Sequence, residues 1–159
     1  NYYKLSDNEA AELLKNINIY HPYGSVGILP WIQNGTVSFG SDPQPHKLLK
    51  LADKIKTFTE GTDPNSSEIL AIRKNMGTAN KLIFLGFAFH KLNMKLISPN
   101  DYKKKFNIKC FATTKGISAS DKEIIKKQID NLYDDYINVK MANSLCGPFF
   151  KEFQRSLSF

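Results

Sequence analysis

Eight consecutive apolar residues, Leu82-Ile-Phe-Leu-Gly-Phe-Ala-Phe89, constrain this chain more than any other stretch of it. A strand with one face in water alternates polar and apolar residues, whereas a strand covered by helices on both faces reads as an unbroken apolar run. The run is too short for a typical buried helix and far below the roughly 20 residues of a membrane span. It predicts a buried strand in the middle of a sheet, and therefore helices to cover it.

The flanking sequence supplies those helices. Ser6-Asp-Asn-Glu9 has the Ser-x-x-Glu form of a capping box, and Ala10, Leu13, Leu14 and Ile17 follow at helical spacing. A helix over 7–16 is expected. Ile17, Ile19 and His21 alternate with polar neighbours until Pro22 and Gly24, the pattern of a strand feeding a loop, and Gly35-Thr-Val-Ser-Phe-Gly40 reads as a second short strand. Leu48, Leu49, Ala52 and Ile55 form a helical stripe opened near Pro45, and Glu68 opens another that carries Ile69, Ile72 and Met76 and closes around Gly77. Ile108-Lys-Cys-Phe-Ala-Thr113 is a further strand. Ser120-Asp-Lys-Glu123 resembles a second capping box, and apolar residues from Ile124 to Ile137 predict one long helix after it. Gly147 and Pro148 should break that helix ahead of an amphipathic end with Phe149, Phe150, Phe153 and Leu157. The alternation predicts a single α/β domain over 1–159: a Rossmann-like, open, mostly parallel sheet with helices on both faces. Its strands number about four, few for a sheet of that kind, so a partial domain is expected.

Composition narrows the classes. With 42% hydrophobic and 12% aromatic residues the chain has ample material for a core. Cys110 and Cys146 belong to no paired-cysteine or cysteine–histidine motif, so neither a disulfide framework nor a metal site is expected, and a reducing, cytoplasmic setting is. The formal charge of +7 raises the question of nucleic acid, but Lys103-Lys104-Lys105 is the densest run, and Lys126-Lys127 shares its segment with Asp130, Asp134 and Asp135. These read as solvated faces, so nucleic acid and membrane are not the expected partners. The N-terminus has neither a signal-peptide layout nor an initiator methionine, which suggests a start inside a longer protein.

In open α/β sheets ligands bind beyond the carboxyl ends of the strands. Three segments stand there. His21-Pro-Tyr-Gly-Ser25 offers a possible base and a glycine that admits close approach, or else an ordinary turn with a hydrogen-bonded histidine. Gly86-Phe-Ala-Phe-His90 suits a ligand mouth, although His90 equally suits a helix start. Thr113-Thr-Lys-Gly116 could hold a ribose or phosphate, or simply make a turn. No Walker loop, Gly-x-Gly-x-x-Gly, His-Glu-x-x-His or Gly-x-Ser-x-Gly is present.

Taken in order, Ile19-Tyr-His-Pro-Tyr-Gly-Ser25, Val37-Ser-Phe-Gly40, Leu82-Ile-Phe-Leu-Gly-Phe-Ala-Phe-His-Lys-Leu-Asn93 and Cys110-Phe-Ala-Thr-Thr114 resemble the later half of SIR2-like domains, the sirtuin relatives found in bacterial, often antiviral, proteins. The resemblance implies that NAD is substrate or ligand, with hydrolysis to nicotinamide and ADP-ribose in the complete domain. It assigns His21 as the base and Gly24, Ser25, Gly40, Gly86, Phe87, His90, Asn93, Thr113 and Thr114 to the pocket. The partners it implies are NAD or ADP-ribose, and either the remaining N-terminal half of the domain or a second copy. There are departures. Tyr23 stands where sirtuins place the histidine, Phe87-Ala88 replaces Thr-Ser after the glycine, and the zinc cysteines and the early Gly-Ala-Gly loop are absent. A non-catalytic module for nucleotide sensing or assembly is the alternative that these departures leave open.

Overall fold

In a computed structural model of the chain, the described residues are 5–25, 42, 44–56, 63–100, 108–134 and 137–158. They divide into two compact units, residues 1–68 and 69–159.

The described residues of the first unit hold helices and turns and no strand. Helix α1 (Asp7–Leu14) opens on the predicted capping box: Ser6 Oγ accepts the Glu9 N–H at 3.3 Å, and the Glu9 carboxylate accepts the Ser6 N–H at 2.8 Å. Helix α2 (Pro45–Ala52) has proline at its first position, where the missing amide costs no intrahelical bond. The strand expected over 17–21 does not form. Ile17 and Ile19 are 57% and 54% exposed, so their alternation buries no face. The strand expected at 35–40, with Gly40, lies outside the described residues.

Helix α3 (Ser67–Thr78) runs into the second unit, which is built on a parallel sheet of β1 (Lys81–Phe84), β2 (Ile108–Thr113) and β3 (Ile137–Ala142) in the order β1-β2-β3. Helix α4 (Lys91–Ile97) connects the first two strands and α5 (Ala119–Asp130) the second and third; α6 (Cys146–Glu152) and α7 (Gln154–Leu157) follow. Leu82, Phe84, Ile108, Cys110, Ala112 and Ile137 pack with Met94 of α4 and with Ile125 and Ile129 of α5. The opposite face is covered by α6 and α7, where Phe111 and Ala142 meet Phe149, Phe153 and Leu157. The expected architecture, helices on both faces of a parallel sheet, is present.

Several expectations change. The apolar run is a strand only as far as Phe84, and β2, not β1, is the central strand. Gly86 has φ +56°, a turn geometry that ends the strand, and Ile83 and Leu85 are 42% and 39% exposed. The long helix after residue 120 ends at Asp130: Asp134 takes a positive φ of 48°, and Ile137, Val139 and Met141 continue at period two as β3. The cap of α5 is Ser118, whose Oγ accepts the Asp121 N–H at 3.0 Å, in place of the Ser120 box. Pro148 falls in the first turn of α6, where its absent N–H is tolerated.

Candidate functional site

Because the three strands are parallel, their carboxyl ends lie along one rim, and Gly86, Phe87, His90, Asn93, Thr113 and Thr114 stand at or after the ends of the first two strands. At the end of β1, the Gly86 N–H donates to Thr113 Oγ1 at 2.9 Å, tying the first loop to the tip of the central strand. A Cβ built on Gly86 would meet nothing within 4 Å, so space stands open above this glycine. Phe87 turns the other way: with Phe84 and Phe89 it forms a triad of rings with centroids 5.2–5.5 Å apart, packed against the core. His90 is the N-cap of α4, its Nδ1 accepting the Leu92 N–H at 3.4 Å, the helix-start role foreseen as its alternative. Asn93 donates from Nδ2 to Ala88 O at 3.0 Å and so braces the same loop.

At the end of β2, Thr113 and Thr114 are both buried, and Thr114 Oγ1 donates to Ala142 O at 3.2 Å. Their hydroxyls stitch neighbouring strand ends together. The next loop turns at Gly116 (φ +77°), again with no atom within 4 Å of an added Cβ, and its N–H donates to Asn143 Oδ1 at 3.3 Å. Ser144 completes the rim after β3, and its Oγ is buried with no hydrogen-bond partner among the described residues. Sequence reasoning missed Asn143 and Ser144 because it missed the strand that delivers them; the alternation of Ile137, Val139 and Met141 was the available signal.

His21, Gly24 and Ser25 belong to the first unit, so the structure does not gather them with the rim residues into one described cluster. The His21 N–H donates to a Glu68 carboxylate oxygen at 2.6 Å, and Gly24 N–H closes a turn onto His21 O at 2.7 Å. Gly24 has φ +83°, and a Cβ there would stand 1.8 Å from Lys54 O. The close approach that Gly24 permits is therefore made by the chain's own backbone, and Lys56 N–H donates to Tyr23 O at 2.9 Å beside it. Gly40 lies outside the described residues.

Other chemistry is limited. Cys110 lies fully buried in β2, and burial, with the Asp130 charge second, pushes its thiol up to about 12, which removes it as a nucleophile near neutral pH. Tyr133 is also buried, its hydroxyl donating to Met76 O at 2.7 Å, and burial raises its pKa. No group of three metal-ligating side chains occurs among the described residues, and none of their helices is long and apolar enough to cross a membrane. A shallow hollow of about 190 Å³ between Leu70, Arg73, Lys74 and Asn100 lies at the far end of α4 from the rim. There Arg73 binds the closing carbonyls of α4, Leu96 O at 2.9 Å and Lys95 O at 3.4 Å, and serves as its C-terminal cap.

Comparison with protein-family models, curated proteins and solved structures finds no match to this chain.

Proposed function

We propose that this chain is a nucleotide-handling α/β protein of Rossmann-like type, with its ligand seated over the carboxyl ends of β1, β2 and β3, and that the ligand is NAD. The observation that carries the reading is the open space above Gly86, a glycine at positive φ held at the tip of the central strand by Thr113. A backbone without a side chain there admits close approach of a ribose or phosphate. The rim suits such a ligand chemically: Ser144 has a buried hydroxyl without a partner, Asn143 precedes it, and Asn93 carries an amide near the end of β1. The identity of the ligand comes from the resemblance of the strand-end segments to SIR2-like domains.

In the catalytic form of this proposal, water attacks C1′ of the nicotinamide ribose, the C–N bond breaks, nicotinamide leaves, and the proton of the water passes to a base, the role that the resemblance to SIR2-like domains gives His21. Gly86, Asn93 and Ser144 hold and orient the nucleotide. In the non-catalytic form the same rim senses a nucleotide without turnover. The latter is favoured by the engagement of the Thr113 and Thr114 hydroxyls within the sheet and by the inward packing of Phe87. Calorimetric titration with NAD and ADP-ribose, followed by assay of nicotinamide release from wild-type and His21→Ala full-length protein, tests both. Release that falls with His21→Ala supports hydrolysis, saturable binding without release supports sensing, and no binding of either nucleotide removes the proposal.

A further inference from the structure

The formal charge is unevenly carried: residues 69–159 hold 16 of the 22 Lys and Arg residues but only 7 of the 15 Asp and Glu residues. Within that unit the two faces of the sheet differ again. On the face under α4 and α5, Lys91 and Lys95 of α4 and the lysines of α5 are set against Asp121, Glu123 and Asp130. The opposite face is made by β1, β2, β3, α6 and α7, which carry Lys81, Lys109, Lys140, Lys151 and Arg155 against the single carboxylate of Glu152.

Strand register explains how these cations meet. Lys81 stands beside Lys109, which stands beside Asn138, and in the next outward row Ile83, Phe111 and Lys140 are neighbours. Phe111 and Ala142 lie under Phe149 and Phe153, and the Lys81 ammonium donates to Leu157 O at 3.2 Å, so α6 and α7 cross this face from the end of β3 to the start of β1. That diagonal leaves Lys109, Asn138 and Lys140 exposed on one side of it. Lys151 and Arg155, both exposed, lie four residues apart and off the Phe149–Phe153–Leu157 stripe. Lys109, Lys140, Lys151 and Arg155 form no ion pair with another described residue; the ion pair that joins two described residues is Lys15–Glu12, in the other unit.

We infer that this face binds the phosphate backbone of nucleic acid without reading sequence. Like charges on adjacent strands repel at a strand spacing of about 4.8 Å, and an array of bound phosphates relieves that repulsion while releasing counterions. Lysine ammoniums act as point charges on phosphate, and the Asn138 amide between them adds a hydrogen-bonding group for phosphate or sugar. The described aromatic exposed on this face is Phe150 of α6, and the strands that carry Lys109, Asn138 and Lys140 have none for bases to stack on, so the phosphate backbone is the ligand of these lysines. The face is separate from the rim and does not rest on the NAD reading.

Fluorescence anisotropy of the whole chain with labelled mixed-sequence single- and double-stranded oligonucleotides, across about 50–200 mM salt, tests the inference. Lys109→Glu/Lys140→Glu changes two exposed side chains; Lys126→Glu/Lys127→Glu on α5 makes the same change in net charge elsewhere. The first pair should weaken binding by at least about tenfold and lower the salt slope by roughly 1.4–1.8, the second far less. Absence of binding by wild type at about 50 mM salt, equal losses from the two pairs, or tighter binding to phosphatidylserine vesicles or an acidic polypeptide than to oligonucleotides would each overturn it.

Discussion

Two glycines with the same sign of φ do opposite things in this molecule. Gly24 (φ +83°) has the Lys54 carbonyl where a side chain would start, whereas Gly86 (φ +56°) has nothing within 4 Å of that point. In sequence they look alike, each in a Gly-bearing segment close to a histidine. The first uses the missing Cβ to let two pieces of backbone touch; the second stands exposed at the rim of a parallel sheet. A positive-φ glycine thus indicates a ligand only when the space it creates is not already filled by the protein.

Substitutions that add a methyl group at each glycine separate these roles. Gly24→Ala should be the most damaging, because a Cβ 1.8 Å from a carbonyl oxygen forces the turn and the residues after α2 apart; a loss of about 3 kcal/mol or more is expected, read by thermal or urea melts. Thr113→Val removes the acceptor of the Gly86 N–H and should cost about 1–3 kcal/mol. Gly86→Ala meets only the intrinsic penalty of a positive φ, about 1 kcal/mol in the same melts, and yet should weaken NAD binding more than Gly24 substitutions that remain folded. If Gly86→Ala instead unfolds the protein, or Gly24→Ala leaves it unchanged, the contrast between the two glycines is mistaken.

A smaller effect appears only in alkali. The Cys110 thiol titrates near 9.0 when unfolded and is raised to about 12 in the fold, mainly by burial. The unfolded chain therefore loses its proton first, so the contribution of this group to stability is whole below pH 9.0 and declines as pH rises toward 12. Cys110→Ala should flatten that decline in part, because buried Tyr133, also raised, shares the window. Urea melts between those pH values measure it; an unchanged slope in Cys110→Ala would contradict the burial argument.

Local chemistry was the most legible part of the sequence. The Ser6–Glu9 box, proline opening α2, and the limits of β2 were readable because each depends on a few neighbouring residues. The centre of the sheet was not. An apolar run records that its residues are mostly shielded, but it does not distinguish a strand from a strand followed by a loop whose phenylalanines fold back onto the core, as Phe87 and Phe89 do. The third strand was hidden because Ile137 also continues the helical spacing of Ile129, Leu132 and Tyr133, and only the turn at Asp134 separates them. Without β3, Asn143 and Ser144 at its end were missed as well. The close approach of Gly24 to Lys54 depends on residues about 30 apart in sequence, and no local pattern encodes it.

The claim that the carboxyl rim takes the nucleotide is tested most directly by following backbone amide resonances during titration with NAD. The account predicts saturable shifts confined to Gly86–Asn93, Thr113–Gly116 and Asn143–Ser144, with Lys109 and Lys140 unmoved. Absence of shifts at millimolar NAD, or shifts centred on the Lys109–Lys140 face, would contradict it.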